Sequence, residues 1–213
     1  RPNLFPSGIP NSSGHDGHNF CEHLMGPRIT GQMTELVGKS KTLDDGRPGG
    51  FYVPRFRNLT EKHPNFLRGY GFEGSRGSMM FPSHAVATPG FGTPFKQEVR
   101  KNQGSYIWMG GFGEVLPRYE NYVDLDPKVK DKWGIPVLRF HYRFGDNEKK
   151  MAADMRDAAK EMFEMAGMKI INIDKEIQTE GWSIHELGTS RMGNNPKTSV
   201  LNQFQQSHDV TNL

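Results

Sequence analysis

Residues 147–166 read Asn-Glu-Lys-Lys-Met-Ala-Ala-Asp-Met-Arg-Asp-Ala-Ala-Lys-Glu-Met-Phe-Glu-Met-Ala, and Gly167 follows. Met151, Met155, Ala158, Ala159, Met162 and Ala166 recur at three- and four-residue spacing, which lines one face of an α-helix. Asp146 or Asn147 can cap its start, because a short polar side chain accepts an orphan backbone N–H there. Gly167 supplies the stop. The helical methionines read as core, not as a binding groove. Behind the helix, residues 169–177 carry the β-branched Ile170, Ile171 and Ile173 and predict a strand.

Upstream, the pattern is strands and turns. Residues 51–57 read as a strand, with Pro54 at an edge or bulge position. Residues 66–73, 105–109, 113–116, 119–125 and 137–143 read as further strands. Short helices are expected over 19–25 and 94–101, and a long Gly-, Ser-, Pro- and Met-rich loop over 75–94. Loops of that length are usually functional or mobile, and Met79-Met80 within it suits a lid or contact surface. Strands joined by short turns, without strand–helix alternation, predict an antiparallel arrangement. The expected fold is therefore α+β: a sheet of about six strands, one long helix on a face, and loop-rich flanks. Three segments are expected: a flanking piece over 1–30, a central domain over 31–177 and a returning segment over 178–213.

Composition narrows the function. Hydrophobic residues are 34% of the 213, with 25 Gly and 14 Pro, and mean hydropathy is −0.70. That is low for a self-contained core, yet 14 Phe argue against disorder. A loop-rich chain that completes its packing against something else fits both facts. A net charge of +3 with dispersed Lys and Arg gives no nucleic-acid footprint. The single cysteine, Cys21, excludes an internal disulfide framework. No apolar run approaches the roughly 20 residues of a membrane span. The beginning, Arg-Pro-Asn-Leu-Phe-Pro, reads as mid-chain and the end as a turn entering a strand, so a piece of a longer protein is expected.

The chemistry concentrates in His185-Glu186-Leu187-Gly188-Thr189-Ser190-Arg191-Met192-Gly193. Gly188, Thr189, Ser190 and Gly193 carry little bulk, so a backbone or a flat ligand can come close. Histidine exchanges protons near neutral pH, and one beside a cleared surface suits proton removal from a hydroxyl. A lone histidine would read as a loop hydrogen-bonder. A second cluster, His15-Asp16-Gly17-His18-Asn19-Phe20-Cys21-Glu22-His23, has spacings open to a transition metal. It lacks a partner pair elsewhere to enclose an ion, and no metal is assigned. The Phe51, Arg55, Arg57, Arg68, Tyr70 and Phe72 group reads as a strand with one apolar and one charged face.

His-x-x-Gly-Thr-x-Arg-Met-Gly at 185–193 resembles the C-terminal active-site motif of the glucose–methanol–choline oxidoreductases. The following Asn195-Pro196-Lys197-Thr198-Ser199-Val200-Leu201-Asn202 and His208-Asp209-Val210 resemble the segment leading back to that family's FAD domain. Asn11-Ser12-Ser13-Gly14, Gly17, Asn19-Phe20 and Glu22-His23 are similar to its Gly-x-Asn-Leu-x-Asp-His region. Residues 51–58 and 111–143 resemble the substrate domain of its bacterial sugar-dehydrogenase-like branch.

The resemblance implies an FAD-dependent alcohol or sugar oxidoreductase in which His185 is the catalytic base. Thr189 and Arg191 would shape the loop, and Asn11, Ser13, Gly14 and Asn19 would contact the cofactor. It implies a sugar or alcohol substrate and a partner FAD-binding domain, and it is compatible with a periplasmic location. The pattern departs from the family in two ways. A Gly-x-Gly-x-x-Gly fingerprint is absent, since Gly69-x-Gly71 and Gly111-x-Gly113 lack a strand-to-helix context. The second catalytic His or Asn is expected beyond Leu213. The alternative is a non-catalytic carbohydrate- or partner-binding module.

Overall fold

The computed structural model describes residues 11–39, 49–76, 81–182, 184–210 and 212–213. Among them lie β1 (Leu24–Gln32), β2 (Gly50–Val53), β3 (Tyr70–Arg76), α1 (Phe81–Ala87), α2 (Gly92–Asn102), β4 (Tyr106–Gly113), β5 (Tyr122–Lys130), β6 (Pro136–His141), α3 (Asp146–Met165) and β7 (Lys169–Ile173). All strand pairs are antiparallel. Five strands run β2-β3-β4-β1-β7, and β5-β6 forms a separate hairpin. The α+β mixture stands, but one sheet of six strands and a single helix does not describe it. The expected strand at 105–109 runs on to Gly113 as β4, residues 114–116 expected as strand are not, and α1 occupies part of the expected 75–94 loop. Met79-Met80 lies outside the described residues.

The chain divides into two compact units: residues up to His23 with Val115–Gly145 and Thr179–Leu213, and Leu24–Glu114 with Asp146–Gln178. The division differs from the three consecutive segments expected, because residues 115–145 cluster with both flanks.

In the second unit, α3 packs on β1, β4 and β7. Its buried face is Met151, Met155, Ala158, Ala159 and Phe163, the stripe its periodicity marks. The helix begins at Asp146, so both residues offered as its cap lie within its first turn, and Asn147 Oδ1 accepts Leu67 N–H at 2.7 Å. The helix lies close to the sheet because β4 offers glycine beneath it. A Cβ at Gly111 would stand 1.9 Å from Met155 Sδ. Met155 is fully buried, so truncating it leaves a cavity beneath the helix. We expect Met155→Ala to lower unfolding free energy by about 2–5 kcal/mol in denaturant titration, with an unchanged slope.

β1 is the inner strand between β4 and β7, and its first part was expected as a helix over 19–25. Its sequence, Leu-Met-Gly-Pro-Arg-Ile-Thr-Gly-Gln, has neither β-branched density nor clean alternation. The Gly26-Pro27 peptide is cis, and the register slips between Met25 and Arg28. Neighbouring strands, not its own residues, make it a strand.

The arginines of the 51–57 stretch serve the fold. Arg57 grips Asp154 of α3 with two bonds of 2.9 and 3.2 Å, and Tyr70 donates to the same carboxylate. Burial and that carboxylate hold the Tyr70 hydroxyl well above its usual ionisation range. Arg55 pairs with Glu114 at 2.6 Å.

In the first unit, β5 and β6 set Asp124 directly across from Arg139. The guanidinium binds the carboxylate through bonds of 2.9 and 2.6 Å, with His141 at 3.3 Å. The Arg139 bond leads in pulling the Asp124 carboxyl from 3.8 to about 2. A depressed acid favours the fold above its unfolded value, and that contribution is lost as pH falls through about 2. Arg139→Ala should return Asp124 most of the way to 3.8, read from its carboxyl carbon in an NMR titration.

Candidate active site

The motif around His185 is laid against the N-terminal segment of the same unit. Cys21 and Leu187 exchange both backbone hydrogen bonds at 2.9 Å, as an isolated antiparallel bridge. Gly17 N–H donates to Thr189 O at 3.0 Å, and Gly17 O accepts from Val123 N–H at 2.9 Å. Between these ties the chain turns at Asn19, whose φ is +62°, a conformation that asparagine tolerates better than most residues. Gly188 has φ +97°, and a Cβ there would lie 2.0 Å from Asn19 O. At Gly193 a Cβ would meet Ser199 at 3.0 Å. What approaches these two glycines is therefore the chain itself, which decides between the backbone and the flat ligand that their small size admitted.

The return segment closes a second set of ties. Arg191 O accepts from Val200 and Leu201, and Gly193 N–H donates to Leu201 O at 2.8 Å. His208 Nε2 lies 3.1 Å from Gly193 O and 3.0 Å from Ser199 Oγ. A carbonyl partner requires the proton on Nε2, so that nitrogen donates. Asp209 accepts Ser12 N–H at 2.8 Å and also the Ser12 hydroxyl, and these bonds hold its carboxyl below the usual range. Asp16 shifts the other way: burial raises it, against the opposing Ser190 hydroxyl and Gly17 N–H.

His185 stands on the exposed side of this assembly. Its ring meets His23 edge to face, with centroids 4.8 Å apart, and neither ring nitrogen has a hydrogen-bond partner among the described residues. Leu187 and Met192 are more than half exposed beside it in sequence, and Trp182 and Ile184 more so. An imidazole free to take a proton, flanked in sequence by bare apolar side chains, is equipped to work on a hydroxyl at an apolar surface.

The nominated cofactor residues take part in the loop's own bonds. Asn11 Oδ1 accepts Asp16 N–H at 3.0 Å, and Ser13 Oγ accepts His15 N–H at 3.2 Å. Gly14 O accepts the Tyr119 hydroxyl at 2.9 Å. Asn19 is buried, its amide donating to His15 Nδ1 at 3.1 Å and its Oδ1 accepting from Arg191 at 3.4 Å. Asn19 and Arg191 thus join the His185 loop to the N-terminal segment. Asn11, Ser13 and Gly14 shape the first turn, which Ser12 ties to Asp209. Thr189 contributes its carbonyl. The sequence reading missed the roles of His23, His208 and Asp209 as neighbours and fasteners of the loop; the resemblance contained all three, but no spacing rule pointed to them.

The histidine-rich cluster disperses. His18 donates from Nδ1 to Tyr119 O at 2.7 Å and stacks on that ring at 3.9 Å. Cys21 is buried, which pushes its thiol up and quiets it. Among the described residues no three metal-ligating side chains gather, and no helix is long and apolar enough to cross a membrane.

The pattern of the family described as GMC oxidoreductase, in its C-terminal part, matches residues 117–213. A 2-methyl-1,2-propanediol dehydrogenase of Mycolicibacterium austroafricanum is 30% identical over 98% of this chain and 38% of its own length. A gluconate 2-dehydrogenase flavoprotein of Pantoea cypripedii is 31% identical over 59% of this chain and 22% of its own. A fructose dehydrogenase large subunit of Gluconobacter japonicus is 24% identical over 98% and 37%. The chain spans less than two fifths of the length of these relatives.

Proposed function

The chain belongs to the GMC oxidoreductase family, and from that premise we propose that it is part of an FAD-dependent enzyme that oxidises the hydroxyl of an alcohol or sugar. The exposed, unpartnered imidazole of His185 carries this reading. Substrate would present a C–H(OH) carbon; the C–H bond breaks with its electron pair as hydride, and the O–H proton goes to His185. The product is the aldehyde or ketone. Bound FAD would supply the hydride acceptor.

The loop's chemistry suits that cofactor. His185 offers a proton acceptor, and Leu187 and Met192 offer exposed apolar surface on the same loop. The amides of Asn11 and Asn19 and the hydroxyl of Ser13 already fasten the turn, so their segment would meet the cofactor through its backbone. Most of the FAD site would lie on a domain outside these 213 residues. The relatives' names cover a diol, a sugar acid and a ketose, which supports a polyol or sugar as substrate.

Two outcomes test the reading. The complete protein, loaded with FAD, should reduce an artificial electron acceptor with a sugar or polyol as donor. The 213-residue chain purified alone should lack stoichiometric flavin absorbance and turnover; tight FAD binding by the chain alone would overturn its assignment as a partial site.

A further inference from the structure

The chemistry proposed for His185 leaves its ring neighbour, His23, without a role. The backbone dictates that the two meet. Cys21 and Leu187 form an antiparallel bridge and exchange both of its hydrogen bonds. Two residues forward from Cys21 and two back from Leu187 bring His23 opposite His185. Side chains at directly opposed antiparallel positions stand close enough to touch. These rings do touch, with centroids 4.8 Å apart and planes at 70°. That spacing lies within the range of about 4.5–7 Å in which edge-to-face rings attract. Both residues belong to the first unit.

The two histidines are held very differently. Asn19, Phe20, Cys21 and Glu22 are all buried. His23 follows them and is half-buried, so its backbone is fixed by the packed residues before it. His185 is exposed, between the exposed Ile184 and Glu186. Neither of its ring nitrogens has a hydrogen-bond partner among the described residues, and among them no other ring packs on it. A base imidazole is ordinarily oriented by a third group that bonds its far nitrogen. Here the restraint is the ring contact. The terminal torsion of a histidine has a broad well, and turning the His185 ring far within it would break the contact with His23.

We infer that His23 is a positioning residue for the proposed oxidation: its ring holds the His185 imidazole in one orientation, with a nitrogen kept ready for the substrate hydroxyl. This role rests on the reading of His185 as the proton acceptor. It adds no proton or electron to the step, since the O–H proton still goes to His185. What His23 supplies is a ring surface and not a nitrogen, which makes phenylalanine its conservative replacement.

The test uses the complete, FAD-loaded protein with its histidine rings 13C-labelled, and turnover of D-fructose, D-glucose and glycerol with an artificial electron acceptor. The wild type should show a nuclear Overhauser contact between the His23 and His185 ring protons. In His23→Ala the 13C relaxation of the His185 ring should report wider motion, and in His23→Phe it should match the wild type. His23→Ala should lower kcat with the best donor about 10- to 100-fold, the usual loss for a misplaced catalytic group. KM, flavin content and the thermal transition should stay near wild-type values. His23→Phe should recover most of the loss. Adding His23→Ala to His185→Ala should cost nothing further, because His23 acts through His185. Should His23→Ala fail to fold, His23→Leu fills the volume without a ring and serves in its place. If no donor is turned over, the ring contact and the relaxation difference decide. Absence of the ring contact, full kcat in His23→Ala, equal losses in the Ala and Phe variants, or a further loss in the double variant overturns the role of His23. Wild-type turnover in His185→Ala defeats the base assignment and this role together; a loss there with full turnover in His23→Ala defeats this role alone.

Discussion

His185→Ala should lower kcat/KM of the complete enzyme by about 10²- to 10⁴-fold, the usual contribution of a positioned general base. The loss should fall on kcat, with KM little changed, if the ring takes the hydroxyl proton as proposed and does not anchor the substrate. The pH profile supplies the readout that a structural role would not move. With the imidazole gone, the acid limb that reports its protonation should flatten, and residual turnover should rise with hydroxide. Thermal stability should stay near that of the wild type. The ring is exposed, makes no hydrogen bond among the described residues, and contacts the rest of the unit through the edge of His23. A variant that keeps wild-type turnover would remove His185 from the chemistry; one that loses turnover together with stability would make it a fastener of the loop.

How much of this was legible beforehand depends on where each element's information lies. α3 was legible to within a residue at each end, because a twenty-residue amphipathic helix carries its own burial pattern in its period. β5 and β6 were legible in part: the expected 119–125 and 137–143 strands overlap them, but β5 starts at Tyr122 and runs on to Lys130. β1 was not. Its glycines and Pro27 interrupt any strand pattern, and it is inner because β4 and β7 close on it and α3 covers it. The His185 motif was legible as a family resemblance, but its support was not. Nothing in Gly188 says that its open side faces Asn19, and nothing in His208 says that it holds Gly193. These are contacts between segments far apart in sequence. The amides at Asn11 and Asn19 also hold together the turn they stand in, which their spacing did not announce.

Gly188→Ala is expected to be the most damaging single-methyl change in the first unit, and its cost can be divided. The first part is conformational. At φ +97° an alanine is strained wherever it stands. Gly181, in the same unit, has φ +77° with nothing within 4 Å of a built Cβ, so Gly181→Ala isolates that part, at about 1 kcal/mol. The second part is overlap. The new methyl at position 188 would stand 2.0 Å from Asn19 O and 3.0 Å from its carbonyl carbon. Those are backbone atoms; no rotamer change relieves the clash, and the 17–21 segment must move away. Moving it breaks the reciprocal Cys21–Leu187 bonds that seat the His185 loop. The total should come to about 3–5 kcal/mol, seen as an earlier thermal transition than in Gly181→Ala. Cys21 gives an independent local reading. It is the only cysteine in the chain and is buried beside Gly188, its Sγ 3.4 Å from the built Cβ. In Gly188→Ala it should react with a thiol reagent under native conditions, while in Gly181→Ala it should stay protected. Equal stability and equal protection in the two variants would mean that the loop is not seated on Asn19, and that His185 owes its position to something other than this contact.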